Sequence, residues 1–270
     1  MTKKLSRLAP HLVLIVLAFS AVFPLYWMFI SSLKGSTEIL GFDLIAAQPT
    51  LKNYIDAFTT VPLFQMLFNS VIVSLGTALV QLIVAVLFAY AFMRWNFKGK
   101  NLVYGILSIT WLIPIQAIMI PNYVEVINMG INNTLLAMII PHCCSVFANI
   151  SMYQNFNSMP RALIEAARMD GSSELQILKD IVMPNMKSSI ASLGIVLVIT
   201  AWNDYLWPTL VARTEDVKPI QIGLKSFSGS DTYMWGASMA AATISTIPIL
   251  VVYIFMNRRI ISSFMKGGIK

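Results

Sequence analysis

Six long apolar segments constrain the fold of this chain more than any other feature of its sequence. A helix that crosses the hydrocarbon core of a bilayer needs about 20 mostly apolar residues, and six segments come near or exceed that length. With boundaries good to about 2–4 residues, they cover about 11–33, 67–93, 102–120, 134–154, 189–211 and 236–257. The sequence therefore predicts an all-α membrane protein with six transmembrane helices, folded as a single domain over residues 1–270.

The low charge content agrees with this fold class. Charged residues make up 11% of the chain and hydrophobic residues 57%, whereas soluble domains carry about 25% charged residues. A water-facing surface cannot be built from such a composition, and no loop is long enough to fold alone. The two cysteines, Cys143 and Cys144, are adjacent inside an apolar segment. They lack the spacing of metal ligands, so we predict buried, inert thiols and no metal site.

The distribution of basic residues predicts the orientation. An even number of spans puts both termini on one side of the membrane, and 14 of the 19 lysine and arginine residues fall on that side. Loops rich in lysine and arginine stay in the cytoplasm, so both termini and the segment 155–188 are predicted to be cytoplasmic. The first apolar run is too long for a signal peptide and has no small-residue cleavage site after it, so we interpret it as a retained span.

The predicted cytoplasmic segment has a helical pattern of its own. Ser158-Met159-Pro160 is typical of a helix start, and Asp170-Gly171 interrupts the helix that follows. Ser173 and Gln176 have the spacing of a capping box at the start of a second helix, which Pro184 is predicted to end. Helices this short are unstable alone in water, so both must pack on another surface. Periodicity leaves two interpretations open: a helix pair lying on the membrane surface, and a docking element.

The spacing inside this segment carries a family resemblance. Glu165-Ala166-Ala167 is followed after three residues by Gly171, after nine more by Ile181 and after two more by Pro184. This pattern resembles the signature loop of ABC importer permeases. The family has leucine before the proline, and this chain has Met183, a residue of similar volume.

The sequences around the loop narrow the resemblance to the permeases for carbohydrate uptake. The matching stretches are Met159-Pro160, Asp170-Gly171-Ser172 and Trp202-Asn203-Asp204. Together they resemble the MalG-type subunit, a binding-protein-dependent inner-membrane component. The resemblance implies the type I permease fold of ABC importers and a location in the bacterial plasma (inner) membrane. It also implies three kinds of partner: a second, MalF-like permease subunit, two copies of a cytoplasmic ATPase subunit, and an extracytoplasmic substrate-binding protein.

The resemblance gives the loop a role as well. The loop would dock as a coupling helix on the cytoplasmic ATPase, and Glu165 would offer that subunit a charged contact. The residues expected to take part in coupling are Glu165, Ala166, Ala167, Asp170, Gly171 and Pro184. The tail Lys266–Lys270 either reaches the ATPase as well or is a frayed terminus.

The energy source is expected to lie on a partner chain. No G-x-x-x-x-G-K-[ST] phosphate loop occurs, since Gly99-Lys100 is followed by Asn101 and lacks the upstream glycine. The chain is therefore predicted to be a transporter subunit rather than an enzyme and to hold no cofactor, with ATP and Mg²⁺ bound by the ATPase. A secondary carrier or channel, the main alternative, would be expected to show intramembrane charge pairs or an inverted repeat. Neither is visible in the sequence.

Polar residues inside the predicted spans are candidates for the substrate path, because such residues usually face a bundle interior or a water-filled cavity. Ser70, Ser74, Thr77 and Gln81 form one helical stripe on the second span, with Asn69 near its outer end. Helix packing through small polar residues is the alternative interpretation of this stripe.

The third and fifth spans add further candidates. Gln116 follows Pro114 on the third span, and proline there frees backbone carbonyls that a cavity could cover; a structural kink explains the same pattern. The fifth span carries Trp202-Asn203-Asp204-Tyr205, in which Asp204 is the only acidic residue within a predicted span. We expect Trp202, Asn203, Asp204 and Tyr205 to line the outer part of the path, with an interfacial aromatic belt as the alternative.

The candidate path favours a neutral sugar. An aromatic ring can stack on the apolar face of a sugar while an amide or carboxylate binds its hydroxyl groups. The predicted spans contain no cluster of basic residues that would bind a phosphate group. Glycerol-3-phosphate, or another polyol phosphate, is the alternative substrate, because Asp180-Ile181-Val182 and Trp202–Trp207 also resemble the glycerol-phosphate permease.

Overall fold

The computed structural model describes residues 2–227 and 234–267, with side chains for 10–227 and 234–254. Every regular element within these ranges is helical, as the sequence predicts. Part of the tail Lys266–Lys270, for which a contact with the ATPase is one interpretation, lies outside the described residues.

Fourteen α-helices follow one another in the described chain. They are α1 (Thr2–Leu33), α2 (Lys52–Thr60), α3 (Leu63–Arg94), α4 (Lys100–Thr110), α5 (Ile115–Asn128), α6 (Leu135–Ile139), α7 (Val146–Asn157), α8 (Arg161–Met169), α9 (Glu174–Gln176), α10 (Met183–Asn185), α11 (Lys187–Trp202), α12 (Leu206–Val211), α13 (Ile220–Ser226) and α14 (Trp235–Gly267). A 3₁₀ turn, Ile140–His142, extends α6, and a π-helical segment, Ile177–Val182, joins α9 to α10.

Three of these helices are long and apolar enough to cross a membrane unbroken. They are α3, residues Pro10–Leu33 of α1, and residues Trp235–Ile254 of α14. Three bent pairs also qualify if each is counted as one span: α4 with α5, bent by 94°, Leu135–His142 with α7, bent by 49°, and Glu174–Asn185 with α11, bent by 79°. The described residues therefore contain between three and six spans by length and composition.

Proline accounts for two interruptions in the predicted spans. In the third span, α4 ends at Thr110 and α5 begins after Pro114, whose extended backbone serves as its N-cap. In the fifth span, α11 ends at Trp202 and α12 begins at Leu206. Pro208 cannot donate a hydrogen bond to the carbonyl of Asp204 and its ring crowds that carbonyl, so one continuous helix is disfavoured there.

The chain forms two compact units, each with its own packing. One comprises residues 1–65 and 222–248. In it, the Asn53 amide donates to the carbonyl of Lys34 at 2.7 Å. The start of α14 lies so close to this amide that a Cβ atom at Gly236 would be 2.2 Å from Asn53 Oδ1. Only glycine allows so close an approach at this position.

The other unit comprises residues 66–221 and 249–270. Its hydrophobic core joins the C-terminal half of α3 to α7, α8 and the π-helical segment. Members of this core include Ala85, Ala89, Tyr90, Met93, Met152, Phe156, Ile164, Ala167, Ile177, Leu178 and Val182. The predicted cytoplasmic loop is therefore packed on helices of its own chain.

Candidate functional site

The first half of the loop follows its sequence pattern closely. Pro160 is the N-cap of α8, which begins at Arg161 and ends at Met169. Gly171 then takes φ +81°, a left-handed conformation that favours glycine, and so reverses the chain. The predicted capping box at Ser173 is present, since its side chain accepts from the Gln176 backbone while the Gln176 side chain accepts from the Ser173 backbone.

The second half of the loop ends where the sequence predicts, within one residue. Pro184 is predicted to end the helix, and the helix ends at Asn185. The π-helical segment Ile177–Val182 precedes the proline, and Met183 donates five residues back, to the carbonyl of Leu178. This wider turn accommodates a residue that has no N–H and that would crowd the preceding turn of an α-helix.

The loop has a buried face and an exposed face. Ala167 and the apolar residues of the π-helical segment lie in the hydrophobic core. The opposite face carries Glu165, Ala166 and Leu163, together with Met169, whose side chain is 88% exposed. The two alanines of the motif therefore point to different surfaces, and only Ala166 is available to another chain.

A charged cluster ties the loop to the end of α3; we name it the Glu174 cluster. Glu174 Oε1 lies 2.7 Å from Arg94 Nε and 3.4 Å from Arg168 Nε. Glu174 Oε2 accepts a hydrogen bond of 2.5 Å from the Tyr90 hydroxyl. Partial burial raises the pKa of the Glu174 carboxyl, but the hydrogen bonds from Tyr90 and Arg94 and the arginine charges outweigh it and lower the pKa below its usual value.

Sequence reasoning missed this cluster. Tyr90 and Arg94 are four residues apart, so they lie on one face of α3, and Glu174 is the first acidic residue after the Asp170-Gly171 turn. That helical spacing was the available signal, but it did not identify a partner 80 residues away.

The motif residue Glu165 lies beside the two arginines of the Glu174 cluster and a third arginine, Arg161. A recess of about 120 Å³ is lined by Glu165 together with Arg94, Arg161 and Arg168, and by Asn96 at the end of α3. The polar surface of α8 is therefore mixed in charge rather than uniformly acidic or basic.

A cavity of about 260 Å³ lies within the unit formed by residues 66–221 and 249–270. Its polar lining residues are Ser70, Thr77, Gln81, Asn122, His142, Thr200 and Asp204, and its aromatic lining residues are Trp202 and Trp207. They come from α3, α5, the 3₁₀ turn, α11 and α12, and Asp204 lies in the break between α11 and α12. Five candidate path residues are thus brought together at one cavity: Ser70, Thr77 and Gln81 of the polar stripe, and Trp202 and Asp204 of the fifth span.

Hydrogen bonds hold the cavity wall in place. Gln81 Nε2 donates to the carbonyl of His142 at 2.7 Å. The buried Trp207 indole donates to the carbonyl of Ala137 at 2.9 Å, and its ring lies 5.6 Å from the His142 ring in an edge-on arrangement. The Trp207 backbone N–H in turn donates to Asp204 Oδ1 at 3.5 Å, at the start of α12.

The other predicted path residues lie off the cavity wall. Asn69 is buried and donates to the carbonyls of Asp216 and Lys218 at 2.8 and 3.1 Å. Ser74 is buried and donates within α3. These two residues make contacts of helix packing, the alternative interpretation of the stripe, whereas Ser70, Thr77 and Gln81 of the same stripe line the cavity.

The three remaining candidates, Gln116, Asn203 and Tyr205, also lie off the cavity wall. Gln116 is exposed, and so is Asn203, whose amide donates to the carbonyl of Ile199 at 2.9 Å. Tyr205 is half-buried at the start of α12. Three other polar residues line the cavity beside Asp204: His142, Asn122 and Thr200. They could not be assigned to the path from the sequence, because single polar residues in separate spans form no regular pattern.

The cysteines differ from the prediction. Cys143 is half-buried and Cys144 is exposed, because both lie in the break between the 3₁₀ turn and α7. The expectation of buried thiols is therefore wrong for Cys144. Among the residues whose side chains are described, no group of three histidine, cysteine or acidic residues is placed to hold a metal ion.

Comparison with known proteins identifies the family. Residues 81–266 match the proteins described as the inner membrane component of binding-protein-dependent transport systems. The chain belongs to this family. It is thus a transport component of the inner membrane and not an enzyme, as its sequence predicts. The orientation of its termini stays a prediction.

Named relatives of this inner membrane component align over almost its whole length. The arabinooligosaccharides transport system permease protein AraQ of Halalkalibacterium halodurans is 32% identical over 94% of this chain and 93% of that protein. The sn-glycerol-3-phosphate transport system permease protein UgpE of Rhizobium meliloti is 30% identical, covering 98% and 96%. The lactose transport system permease protein LacG of Rhizobium radiobacter is 30% identical, covering 99% and 98%.

A solved structure shares the fold. A chain from a bacterial ABC transporter involved in the import of the acidic polysaccharide alginate superimposes with a TM-score of 0.81, at 23% identity and over 96% of this chain and 97% of that chain. The inner membrane component therefore has the permease fold of ABC importers, which confirms the predicted fold class.

Proposed function

We propose that this chain is a permease subunit of an ATP-driven importer for neutral sugars. The cavity forms part of the translocation path, and the loop from Glu165 to Pro184 couples the chain to a cytoplasmic ATPase. Both termini and the loop lie in the cytoplasm, as the positive-inside rule predicts. ATP and Mg²⁺ bind to the ATPase, and the chain itself performs no covalent chemistry.

The cavity carries the proposal for the substrate. Its wall combines an amide at Gln81, a carboxylate at Asp204 and the aromatic rings of Trp202 and Trp207. Hydroxyl groups pair with amides and carboxylates, and the apolar face of a sugar ring packs on an aromatic ring. Ligand pockets commonly enclose about 300–1,000 Å³, so a cavity of about 260 Å³ fits one sugar unit at a time.

The charge of the wall favours a neutral substrate over a phosphorylated one. Phosphate sites in proteins are built from arginine, lysine or backbone N–H groups. The described lining contains no lysine or arginine and includes the acidic residue Asp204. The names of AraQ and LacG support a sugar, whereas the name of UgpE keeps glycerol-3-phosphate as the second candidate.

The exposed face of α8 supports the proposed coupling. Leu163 and Met169 project from a short helix whose other face is already buried in the chain's own core. An exposed apolar surface beside charged residues is typical of a protein interface.

The full importer in this proposal contains a second, MalF-like permease subunit, two ATPase subunits and a substrate-binding protein outside the membrane. A transporter structure with 16% sequence identity, TM-score 0.68, is a complex with a periplasmic protein that holds an alginate pentasaccharide.

Two measurements test this function. A thermal-shift screen of the cognate binding protein against sugars and glycerol-3-phosphate identifies the ligand, and uptake of that ligand is then measured in proteoliposomes that contain the whole importer. We expect a neutral sugar to stabilise the binding protein and its uptake to require ATP. Stabilisation by glycerol-3-phosphate alone would overturn the substrate, and uptake driven by an ion gradient without ATP would overturn the mechanism.

A further inference from the structure

The Glu174 cluster connects two parts of the molecule that the proposed function keeps separate. Arg94 is the last residue of α3, and Tyr90 lies one turn before it. The same helix supplies Gln81 and Thr77 to the wall of the cavity. Glu174 follows directly after the turn between the two helices of the loop. One helix therefore has the cavity along its middle and the loop at its end.

The contact at this junction is directional. The core between α3 and the loop consists of apolar side chains, which attract one another without a preferred angle. Both oxygens of Glu174 are instead used by α3, one by Arg94 and one by Tyr90. Hydrogen bonds weaken steeply when their angle or length changes. The cluster therefore resists sliding of the loop along α3, which the apolar contacts alone would allow.

The helix between the junction and the cavity is unbroken. α3 runs from Leu63 to Arg94 in one piece, whereas the spans built from α4 and α5 and from Leu135–His142 and α7 are bent. Gln81 and Tyr90 are nine residues apart, which is about 13 Å along the axis of an α-helix. A displacement of the end of α3 is thus carried to Gln81, and so to its hydrogen bond with the His142 carbonyl.

We propose that Tyr90, Arg94 and Glu174 are positioning residues that transmit movement of the coupling loop through α3 to the cavity wall. This inference rests on the proposed function, because it needs a loop that an ATPase moves. Arg168 completes the cluster from the end of α8, so the cluster joins α3 to both helices of the loop. With the cluster broken, the ATPase still docks and hydrolyses ATP, but less of the resulting movement reaches the cavity.

The test compares transport with ATP hydrolysis in the complete importer in proteoliposomes. The variants are Tyr90→Phe, which removes only a hydroxyl, Glu174→Gln, which removes the charge and replaces one acceptor oxygen with a donor NH2, and Arg94→Gln. Lys98→Gln is the matched control, since Lys98 is an exposed cation just beyond the same helix. The reversed pair Arg94→Glu with Glu174→Arg restores opposite charges in exchanged places.

We expect all variants to assemble with the ATPase and to retain hydrolysis that the loaded binding protein stimulates. The ion pair is partly exposed, so its contribution is modest, and we expect the sugar transported per ATP to fall about threefold to fivefold in Glu174→Gln and Arg94→Gln. It should fall less in Tyr90→Phe, stay unchanged in Lys98→Gln, and recover in part in the reversed pair.

Two results would overturn the inference. One is an unchanged transport-to-ATP ratio in both Glu174→Gln and Arg94→Gln. The other is loss of the ATPase from the purified complexes of these variants with no recovery in the reversed pair, which would make the cluster a structural support only. Absence of ATP-dependent uptake in the unaltered importer would instead contradict the proposed function, so the two failures are distinguishable.

Discussion

The loop from Glu165 to Pro184 and the cavity depend on the sequence in different ways. The residues of the loop motif fall within 20 consecutive positions, from Glu165 to Pro184. The polar wall of the cavity draws on Thr77, His142 and Asp204, which are more than 60 residues apart from one another. A docking surface that rests on two adjacent helices can be encoded locally, whereas a cavity between spans exists only after distant helices have packed.

The two regions also use the chain's own core differently. The loop buries one face against α3 and α7 and leaves the other face free. The cavity is lined by residues from several separate helices, and two of its lining side chains, Gln81 and Trp207, donate to backbone carbonyls of other elements. Changes in the loop should therefore affect coupling before they affect the fold, and changes at the cavity should affect the substrate before they affect coupling. Four predictions test this division.

The largest effect is expected at Gly171. Its φ of +81° strains any residue with a β-branched side chain, at a cost of about 1–3 kcal/mol. The upper end of this range lowers the equilibrium population of the native turn about a hundredfold. No atom lies within 4 Å of a Cβ placed there, so the cost comes from the backbone and not from a clash. Gly171→Val should abolish uptake while the protein still inserts in the membrane, as measured by transport assays and immunoblotting of membranes.

Gly171→Asn is the matched control for this prediction, because asparagine tolerates the left-handed conformation. Asparagine should retain most of the uptake. Equal activity of the valine and asparagine variants would show that the turn geometry is irrelevant to coupling.

The next effect separates the two motif alanines. Ala167→Leu adds volume to a packed core and should lower the free energy of unfolding by about 1–3 kcal/mol. Ala166→Leu lies on the exposed face, so it should leave thermal stability unchanged but reduce the ATPase that copurifies with the permease. Thermal unfolding in detergent and quantification of the copurified ATPase measure the two effects. The reverse pattern would mean that the buried and exposed faces are wrongly assigned.

A smaller effect is expected in the cavity. Asp204→Ala removes a carboxylate from the wall and should reduce uptake of the sugar about tenfold, the loss of roughly one charged hydrogen bond. ATPase docking should not change. Asn203→Ala, at an exposed position off the wall, serves as the control. Uptake that is normal in Asp204→Ala, or reduced equally in both variants, would remove Asp204 from the path.

The smallest effect is expected at Ser70. Its hydroxyl accepts a hydrogen bond of 2.8 Å from the buried N–H of Ile220, and Ser70→Ala leaves that donor unpaired at a cost of about 1 kcal/mol. We expect a small loss of thermal stability with sugar uptake retained. A loss of uptake without a loss of stability would favour a direct role of Ser70 in the path.

The sequence predicts the loop better than the spans, and for physical reasons. Gly171 and the capping box at Ser173 depend on residues within one turn, so their geometry follows from local preferences. The fifth span is interrupted because Pro208 acts on Asp204, four residues earlier, while apolar content alone favours continuity. The Glu174 cluster and the bond from Gln81 to His142 join residues more than 60 positions apart. The helical periodicity of a sequence does not predict contacts between residues so far apart.

The exposed side chains of the loop have a consequence for the life of the subunit in the cell. In the proposed importer, Met169, Leu163 and Leu175 would present apolar surface to the cytoplasm until an ATPase covers them. Chaperones and proteases continually sort proteins whose apolar surface is open. We therefore expect permease molecules made in excess of the ATPase to be degraded faster than assembled ones, so the ratio of the two proteins would be corrected after synthesis. A pulse-chase measurement with and without coexpressed ATPase would reveal this difference in half-life.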